Sequence, residues 1–142
     1  MAATELWRVN SSVFKNEMAK DAGVADYVFR RLNQQRARMQ LHITILAGLT
    51  SEERVAALLL QAGCRLGSSA GGAISFDMPL SRDEIAEYLA LNADTLSRIM
   101  SRLSRDSIIG RSSRAQLAVH NWEALKALCP LSEAVIALHS SN

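Results

Sequence analysis

The chain has 142 residues, a length that suits one compact domain with an extension and is short for two complete domains. Hydrophobic residues make up 49% of it and charged residues 21%, with two prolines, a composition typical of a folded, helix-rich protein and not of a disordered one. The net charge of +2 is too small to indicate nucleic-acid binding by itself, so the local distribution of charge has to decide.

Several classes of protein are disfavoured by what the sequence lacks. No apolar run reaches the roughly 18 residues of a membrane span and the start of the chain has no signal-peptide pattern, so we expect a cytoplasmic protein. The cysteines and histidines do not have the close spacing of metal ligands or of a disulfide framework: Cys64, Cys129, His42, His120 and His139. We therefore expect no metal and no cofactor. Because no nucleophile–base pair and no phosphate-binding glycine loop is recognisable, we also expect no enzymatic activity.

The N-terminal part of the chain predicts a short strand followed by two helices. The first twelve residues contain a strand-like pattern with no nearby partner, formed by Leu6, Trp7 and Val9. Ser12 can cap a helix over residues 13–21. Gly23 then separates this helix from a longer one over about residues 24–47.

The long helix has the residue spacing of a coiled-coil seam. Its residues alternate in steps of four and three at Val28, Leu32, Gln35, Met39, His42, Leu46 and Leu49. Phe29 and Ile43 widen this apolar stripe. Because Gln35 and His42 suit a partly hydrated helix pair better than a tight core, we predict a homodimer. The expected interface consists of Val28, Leu32, Gln35, Met39, His42, Ile43 and Leu46; the alternative is that the stripe packs only on the chain's own core.

Residues 50–66 predict a core helix that opens on a capping box formed by Thr50 and Glu53. Its expected buried face consists of Val55, Leu58, Leu59 and Ala62. The glycine- and serine-rich residues 67–72 then predict a flexible linker. The alternation that follows predicts a short strand with Ile74, Phe76 and Met78 on one face.

Two short helices joined by a tight turn come next. Ser81 and Glu84 form a second capping box, which opens a helix that stops near Ala90. Asn92 is a favourable N-cap for the second helix. The buried stripe of that helix is expected to contain Leu96, Ile99, Met100 and Leu103. Two helices in this arrangement are the signature of a helix-turn-helix.

A β-hairpin and a short helix complete the predicted domain. A strand begins at Ile108, residues 110–114 form a basic turn, and residues 115–119 return as a second strand, which gives a wing. Asn121 can cap a helix that runs through Leu128, whereas the tail beyond it suggests one or two more helical turns and no role. The predicted fold is mainly α with a small β wing: a long dimerisation helix followed by a winged helix-turn-helix domain.

Positive charge is concentrated on the second helix of the pair and on the wing. Residues 80–94 carry a net charge of −3, whereas residues 95–115 carry +4, with five arginines. An ordinary solvated face would usually explain a run of charge. Here all five positive charges are arginines, which hold phosphate and guanine in a forked geometry. They alternate with serines that can donate to phosphate. These serines are Ser97, Ser101, Ser112 and Ser113. The pattern favours contact with DNA.

Residues 80–109, with the sequence LSRDEIAEYLALNADTLSRIMSRLSRDSII, resemble the helix-turn-helix of the Crp/Fnr superfamily of bacterial transcription regulators, especially its Fnr and FixK branch. The resemblance extends upstream through LTSEERVAALLL and the long helix, and downstream through the wing. In that branch the recognition helix carries Glu, two further residues, Ser and Arg. Ser97 and Arg98 match this pattern, and Asp94 departs from it.

The resemblance implies three base contacts. Arg98 is expected to read a guanine, Ser97 to contact a neighbouring thymine and Asp94 to accept a hydrogen bond from a base amino group. The chemistry agrees, because arginine is the commonest bidentate reader of guanine and a carboxylate suits the cytosine amine. We expect phosphate contacts at Ser81, Arg82, Asn92, Thr95, Ser101, Arg102, Arg111 and Arg114.

The family pattern also divides the chain into parts. Its members normally carry an N-terminal sensor domain, of which residues 1–12 would be the last strand, so we expect that domain to be missing here. Residues 13–49 are then dimerisation helices, residues 50–128 the winged helix-turn-helix and residues 129–142 a C-terminal tail.

Two functions follow as hypotheses from different classes. The first is a sequence-specific regulator that binds a palindromic promoter site on double-stranded DNA as a homodimer, with RNA polymerase as a candidate partner. The alternative is an interaction module that heterodimerises with full-length relatives and modulates their DNA binding.

Overall fold

The computed structural model describes residues 5–6, 8–111 and 116–140. This part of the chain contains seven helices and four short strands, in agreement with the predicted fold class. Five residues to which the sequence pattern assigns a place in the N-terminal strand or the wing lie outside the described residues: Trp7, Ser112, Ser113, Arg114 and Ala115. The chain divides into two compact units, Met1–Ala37 and Arg38–Asn142.

The beginning of the chain contains no strand among its described residues. Leu6 and Val9 have no regular secondary structure, so the predicted strand is wrong at these positions. An isolated strand leaves its backbone groups without partners, and helix α1 (Ser11–Lys20) follows at once. The side chain of Asn10 accepts a hydrogen bond from the backbone N–H of Ser12 at 2.9 Å. Asn10 is therefore the cap of this helix, and the predicted cap at Ser12 is wrong.

Helix α2 (Ala22–Gly48) is the predicted long helix and begins two residues earlier than expected. The Asp21 carboxylate accepts a hydrogen bond from the backbone N–H of Gly23 at 2.7 Å. The break between the two helices therefore lies at Asp21, which supplies an acceptor to the first turn, and not at Gly23.

Helix α3 (Ser51–Leu66) is the central element of the second unit. Both halves of its predicted capping box are present, with the backbone N–H of Thr50 donating to Glu53 at 2.7 Å. The middle of the helix is buried on nearly every side. Its buried residues are Val55, Ala56, Ala57, Leu58, Leu59, Leu60, Ala62 and Gly63. It is the helix on which the rest of the domain packs.

A four-stranded antiparallel sheet packs beside α3. Its strands are β1 (Ser68–Ala70), β2 (Ala73–Asp77), β3 (Ile109–Arg111) and β4 (Gln116–Val119), in the order β1-β2-β4-β3. The predicted wing pair β3–β4 is thus extended by β2, which lies against β4. Phe76 of β2 is among the largest fully buried side chains.

The predicted linker over residues 67–72 is wrong, because part of it pairs as β1. Ala70 is paired with Ala73 across a two-residue turn. Gly71 and Gly72 form this turn with φ of 59° and 84°, the left-handed region that a tight hairpin turn requires and that glycine adopts without strain. The glycines therefore close a hairpin and do not provide flexibility.

The helix-turn-helix consists of α4 (Arg82–Tyr88) and α5 (Ala93–Arg105). The predicted capping box of α4 is present, with the backbone N–H of Ser81 donating to Glu84 at 2.7 Å. The predicted cap of α5 is also present, because the Asn92 side chain accepts from a backbone N–H in the first turn at 2.7 Å. These local signals fix where both helices begin.

Two further helices, α6 (Trp122–Ala127) and α7 (Ser132–Ser140), end the described chain. Asn121 caps α6 as predicted. The tail is a nine-residue helix that packs on α3, with Val135 fully buried at the contact. It is therefore part of the domain core and more than the turn or two that its sequence suggests. None of the helices in the described part of the chain is long and apolar enough to cross a membrane.

Candidate nucleic-acid interface

Helix α5 separates its apolar residues from its polar ones more sharply than the longer helices α2 and α3. Leu96, Ile99 and Leu103 are buried against the core, as predicted. The opposite side of the helix is exposed and carries Asp94, Arg98, Ser101, Arg102 and Arg105. Burial of one side anchors α5 and leaves the other side, with three arginines, facing outward.

The first two predicted base-reading residues are joined to each other. Arg98 Nη2 lies 2.5 Å from Asp94 Oδ2, and both side chains are more than 70% exposed. The residues are four apart on one helix, so helix geometry alone brings them together, without any contact with another element. An exposed pair of this kind is worth about 0.3–0.5 kcal/mol. A base edge with hydrogen-bonding groups can therefore compete for both side chains.

The third predicted base-reading residue, Ser97, is hydrogen-bonded to a residue of the neighbouring helix. Its hydroxyl accepts a hydrogen bond from Arg82 Nη1 at 3.3 Å, which joins the start of α4 to the outer side of α5. Arg82, predicted to contact phosphate, is exposed. The contact brings a predicted phosphate residue and a predicted base residue to one place.

Arg102, another predicted phosphate residue, makes an ion pair that sequence reasoning missed. Its Nη2 lies 2.5 Å from Oε1 of Glu52, in the first turn of α3. The two residues are fifty positions apart in the sequence, so no local pattern could have indicated the pair. The only local signal is that Glu52 is an acidic residue in a first turn, where it also suits the helix dipole.

Three predicted phosphate residues take part in helix capping. The Ser81 hydroxyl accepts from the backbone N–H of Glu84 at 3.3 Å, and the Asn92 side chain accepts from the backbone N–H of Thr95 at 2.7 Å. Hydrogen bonds from the backbone and side chain of Ser81 hold the pKa of Glu84 below its usual value, so this carboxylate stays ionised. The cap interactions already use the side-chain oxygens of Ser81 and Asn92 as acceptors.

The wing begins differently from the prediction. Gly110 and Arg111 belong to strand β3 and not to the turn. A Cβ at Gly110 would lie 2.3 Å from Nε2 of His120, so glycine allows the His120 side chain to lie this close to the strand. Arg111 is exposed at the end of β3. Arg114 lies outside the described residues.

The predicted dimer residues of α2 differ in exposure. Leu32, Met39 and Ile43 have exposed fractions of 59%, 60% and 63%, and Gln35 is exposed. His42 instead stacks on Tyr88 of α4, with ring centroids 4.3 Å apart, so it faces its own domain. The half-buried residues of the set are Val28, His42 and Leu46. Phe29, which the interface prediction did not include, is 66% exposed.

Within the described residues no three His, Cys, Asp or Glu side chains are grouped as metal ligands. Cys64 and Cys129 are both unpaired thiols. Burial raises the pKa of the Cys129 thiol, a shift that disfavours the reactive thiolate.

The architecture around α5 defines a class of protein. Two short capped helices, the second exposed and rich in arginine, followed by a strand pair that packs beside them, make a winged helix-turn-helix domain. Residues 53–128, more than half of the chain, match the Crp-like helix-turn-helix domain family. The chain belongs to this family of Crp/Fnr-type transcription regulators.

Individual relatives agree with this assignment. The chain is 33% identical over 93 residues to the nitrogen fixation regulation protein FixK of Rhizobium meliloti, an alignment that covers 66% of this chain and 42% of FixK. It is 35% identical over 86 residues to the transcriptional activator protein FnrL of Cereibacter sphaeroides, covering 57% of this chain and 34% of FnrL. Both are regulators and not enzymes, in agreement with the prediction of a non-enzymatic role.

The solved structure of FixK2 from Bradyrhizobium japonicum has the same fold. It superposes with a TM-score of 0.75 at 30% identity, covering 85% of this chain and 59% of FixK2. A mutant of CooA from Carboxydothermus hydrogenoformans, at 21% identity and a TM-score of 0.73, shares the fold. The chain spans less than half the length of the two curated relatives above.

Proposed function

We propose that this chain binds double-stranded DNA sequence-specifically through α5, as a regulator of transcription. The observation that carries the proposal is the exposed side of α5, where Asp94 and Arg98 stand one turn apart over a buried apolar stripe. The major groove of B-DNA admits a helix, and its base edges present the donors and acceptors that these side chains can read. Membership of a family of transcription regulators supports the same function.

The proposed division of contacts follows the chemistry of each side chain. Arg98 reads a guanine through its forked donors, Ser97 contacts the neighbouring base, and Asp94 accepts from a base amine. The phosphate contacts come from residues around this centre: Ser81, Arg82, Asn92, Thr95, Ser101, Arg102, Arg111 and Arg114. The side-chain oxygens of Ser81 and Asn92 accept capping hydrogen bonds. Their proposed phosphate contacts are therefore donated by the Ser81 hydroxyl hydrogen and the Asn92 side-chain NH2 group.

The proposed regulator is a homodimer that recognises a palindrome. Leu32, Met39 and Ile43 are large apolar side chains exposed along α2, which a second copy of the helix would cover. Two copies related by a two-fold axis would present two α5 helices to half-sites about one helical turn, roughly 34 Å, apart. Such a regulator acts in the cytoplasm, at promoters, where RNA polymerase is its natural partner.

Selection from random duplexes tests the proposal directly. The purified chain should enrich duplexes that contain two inverted copies of one short sequence, about 10 base pairs apart from centre to centre. Fluorescence anisotropy should then give tighter binding to the selected duplex than to a shuffled duplex of the same composition. Equal binding to both would contradict sequence-specific recognition, and absence of binding to either would contradict a DNA-binding function.

The alternative is an interaction module that acts on longer relatives through α2. The same exposed apolar residues of that helix support it, because they could pair with the matching helix of a relative. Mixing the chain with a full-length FixK-type protein and the relative's DNA site distinguishes the two. The alternative predicts loss of the relative's DNA binding without DNA binding by the chain itself.

A further inference from the structure

Among the described residues, the ion pair between Arg102 and Glu52 is the one that joins an arginine of the proposed DNA interface to another helix. Arg102 lies on the outer side of α5, and Glu52 lies in the first turn of α3. Their side chains are 44% and 30% exposed, so the pair is at the surface but partly shielded. The pair thus reaches across the fold to a cation of the proposed DNA interface.

Among the described residues, the hydrogen bonds of the capping box at the start of α3 do not involve Glu52, whose charge in the first turn interacts with the helix dipole. The capping box is completed by Glu53, whose carboxylate accepts from the backbone N–H of Thr50. The nearby cation Arg54 donates to the backbone carbonyls of Leu49 and Leu89, at 2.9 and 3.2 Å. Arg102 is therefore the cation that the structure places against the Glu52 carboxylate.

A carboxylate and a phosphate bind a guanidinium in the same way. Both accept two parallel N–H donors of the arginine fork, and both are anions, so a phosphate that approaches Arg102 meets a site with a ligand already in it. The neutralised pair also attracts the DNA backbone less than an unpaired arginine would, because its net charge is zero.

We propose that Glu52 is a built-in competitor of the DNA phosphate for Arg102, and that it lowers the affinity of the chain for DNA of any sequence. The inference rests on the proposed function, since it assigns a negative regulator to the phosphate contact at Arg102. Phosphate contacts carry no sequence information, so the effect of Glu52 is the same on good and poor sites.

The test is the variant Glu52→Gln, which keeps an oxygen acceptor for Arg102 and removes the charge. Affinity for the selected duplex and for a shuffled duplex should both rise about two- to fivefold, the range that a partly exposed ion pair can supply. The dependence of the logarithm of affinity on the logarithm of salt concentration should steepen by up to about one ion. Fluorescence anisotropy over a salt series measures both.

Two controls separate competition for Arg102 from a general change of charge. Glu133→Gln makes the same change in net charge on α7, which supplies none of the proposed DNA contacts, and should leave affinity nearly unchanged. In an Arg102→Ala background, Glu52→Gln should no longer tighten binding. Thermal unfolding of each variant checks that the domain remains folded.

Each result decides the matter. If the wild type binds DNA and Glu52→Gln leaves the affinity unchanged or lowers it, this inference alone is overturned. Glu52 would then have no effect, or would orient Arg102 for phosphate. Equal tightening in the Arg102→Ala background would also overturn it. Absence of binding by the wild type to either duplex would overturn the proposed function, and this inference with it.

Discussion

At the scale of single residues, the pair of Asp94 and Arg98 links two proposed base contacts. Each side chain holds the other in the unbound chain, with Arg98 Nη2 2.5 Å from Asp94 Oδ2. On DNA both must exchange this partner for a base edge. Replacement of either one therefore changes the charge that the other presents, and the effects of the two substitutions should not add.

The Arg98→Ala variant should lose affinity for the selected duplex by about 1–3 kcal/mol, the value of a bidentate contact with guanine. Its affinity for a shuffled duplex should fall much less, because the other arginines still contact phosphate. Arg98→Lys restores the charge without the fork and should recover shuffled-duplex affinity only. Anisotropy titrations of three proteins against two duplexes measure this. Equal losses on both duplexes would make Arg98 a phosphate contact.

Asp94 is one methylene shorter than the glutamate of the Fnr-like pattern, and its contact with a base should be correspondingly weaker. Asp94→Glu lengthens the side chain at an exposed position, so the fold should tolerate it. We expect it to sharpen the preference for one base pair of the half-site. A competition assay with all four base pairs at that position measures the spread. If the ranking and spread do not change, Asp94 serves only as a charge partner in the first turn of α5.

At the scale of elements, local signals were predictable and distant pairings were not. The caps at Thr50, Ser81, Asn92 and Asn121 were found from sequence because a cap depends on residues three positions apart. Strand β1 was missed although its partner is only two residues away, because the small residues Ser68–Ala70 show no apolar alternation and the glycines suggested a linker. The ion pair at Glu52 and the stacking of His42 on Tyr88 were missed because their partners lie far away in the sequence.

We expect helix α7 to contribute to the stability of the domain in a pH-dependent way. Its residue His139 is buried, and Nδ1 has no hydrogen-bond partner among the described residues. Burial lowers the pKa of His139, and the nearby charges of Arg38 and Arg65 lower it further. The folded state therefore holds the neutral imidazole, whereas the unfolded chain takes up a proton at about pH 6.5.

The sign of the effect follows from this difference. Stability from His139 is complete above about pH 6.5 and is lost as pH falls from there through the lower pKa of the folded state. The free energy of unfolding should thus fall less between about pH 8 and pH 5 in His139→Gln than in the wild type. Urea denaturation at several pH values measures it, with the exposed His120→Gln as control. An unchanged pH dependence in His139→Gln would contradict the prediction.

At the scale of the whole molecule, the family assignment and the fold class were predictable, because capped helices and an arginine-rich recognition helix follow one another in a fixed order. The pairing of two molecules is a different problem, since exposed apolar residues on a helix do not identify the surface that covers them. The exposure of α2 nevertheless refines the sequence prediction. Because His42 faces Tyr88, the seam we propose is centred on the exposed residues Leu32, Met39 and Ile43.

A dimer formed through these residues should separate when charge is placed among them. We expect the wild type to have twice the 15.5 kDa mass of the chain in light scattering at roughly tens of micromolar. The double variant Leu32→Glu and Met39→Glu should be monomeric, because two like charges on each helix would face each other across the pair. It should also lose far more affinity for the selected duplex than for a single half-site, since only the dimer can hold two half-sites at once.

The matched control for this dimer test is Asn33→Glu, an exposed position that lies about 100° round the helix from Leu32. It adds a negative charge to the same helix outside the proposed seam, so it should remain dimeric and bind the full site. His42→Ala should also remain dimeric, because its ring already packs on Tyr88 of the same chain. A wild type that is monomeric would contradict the dimer, and a double variant of unchanged mass would place the interface on another surface.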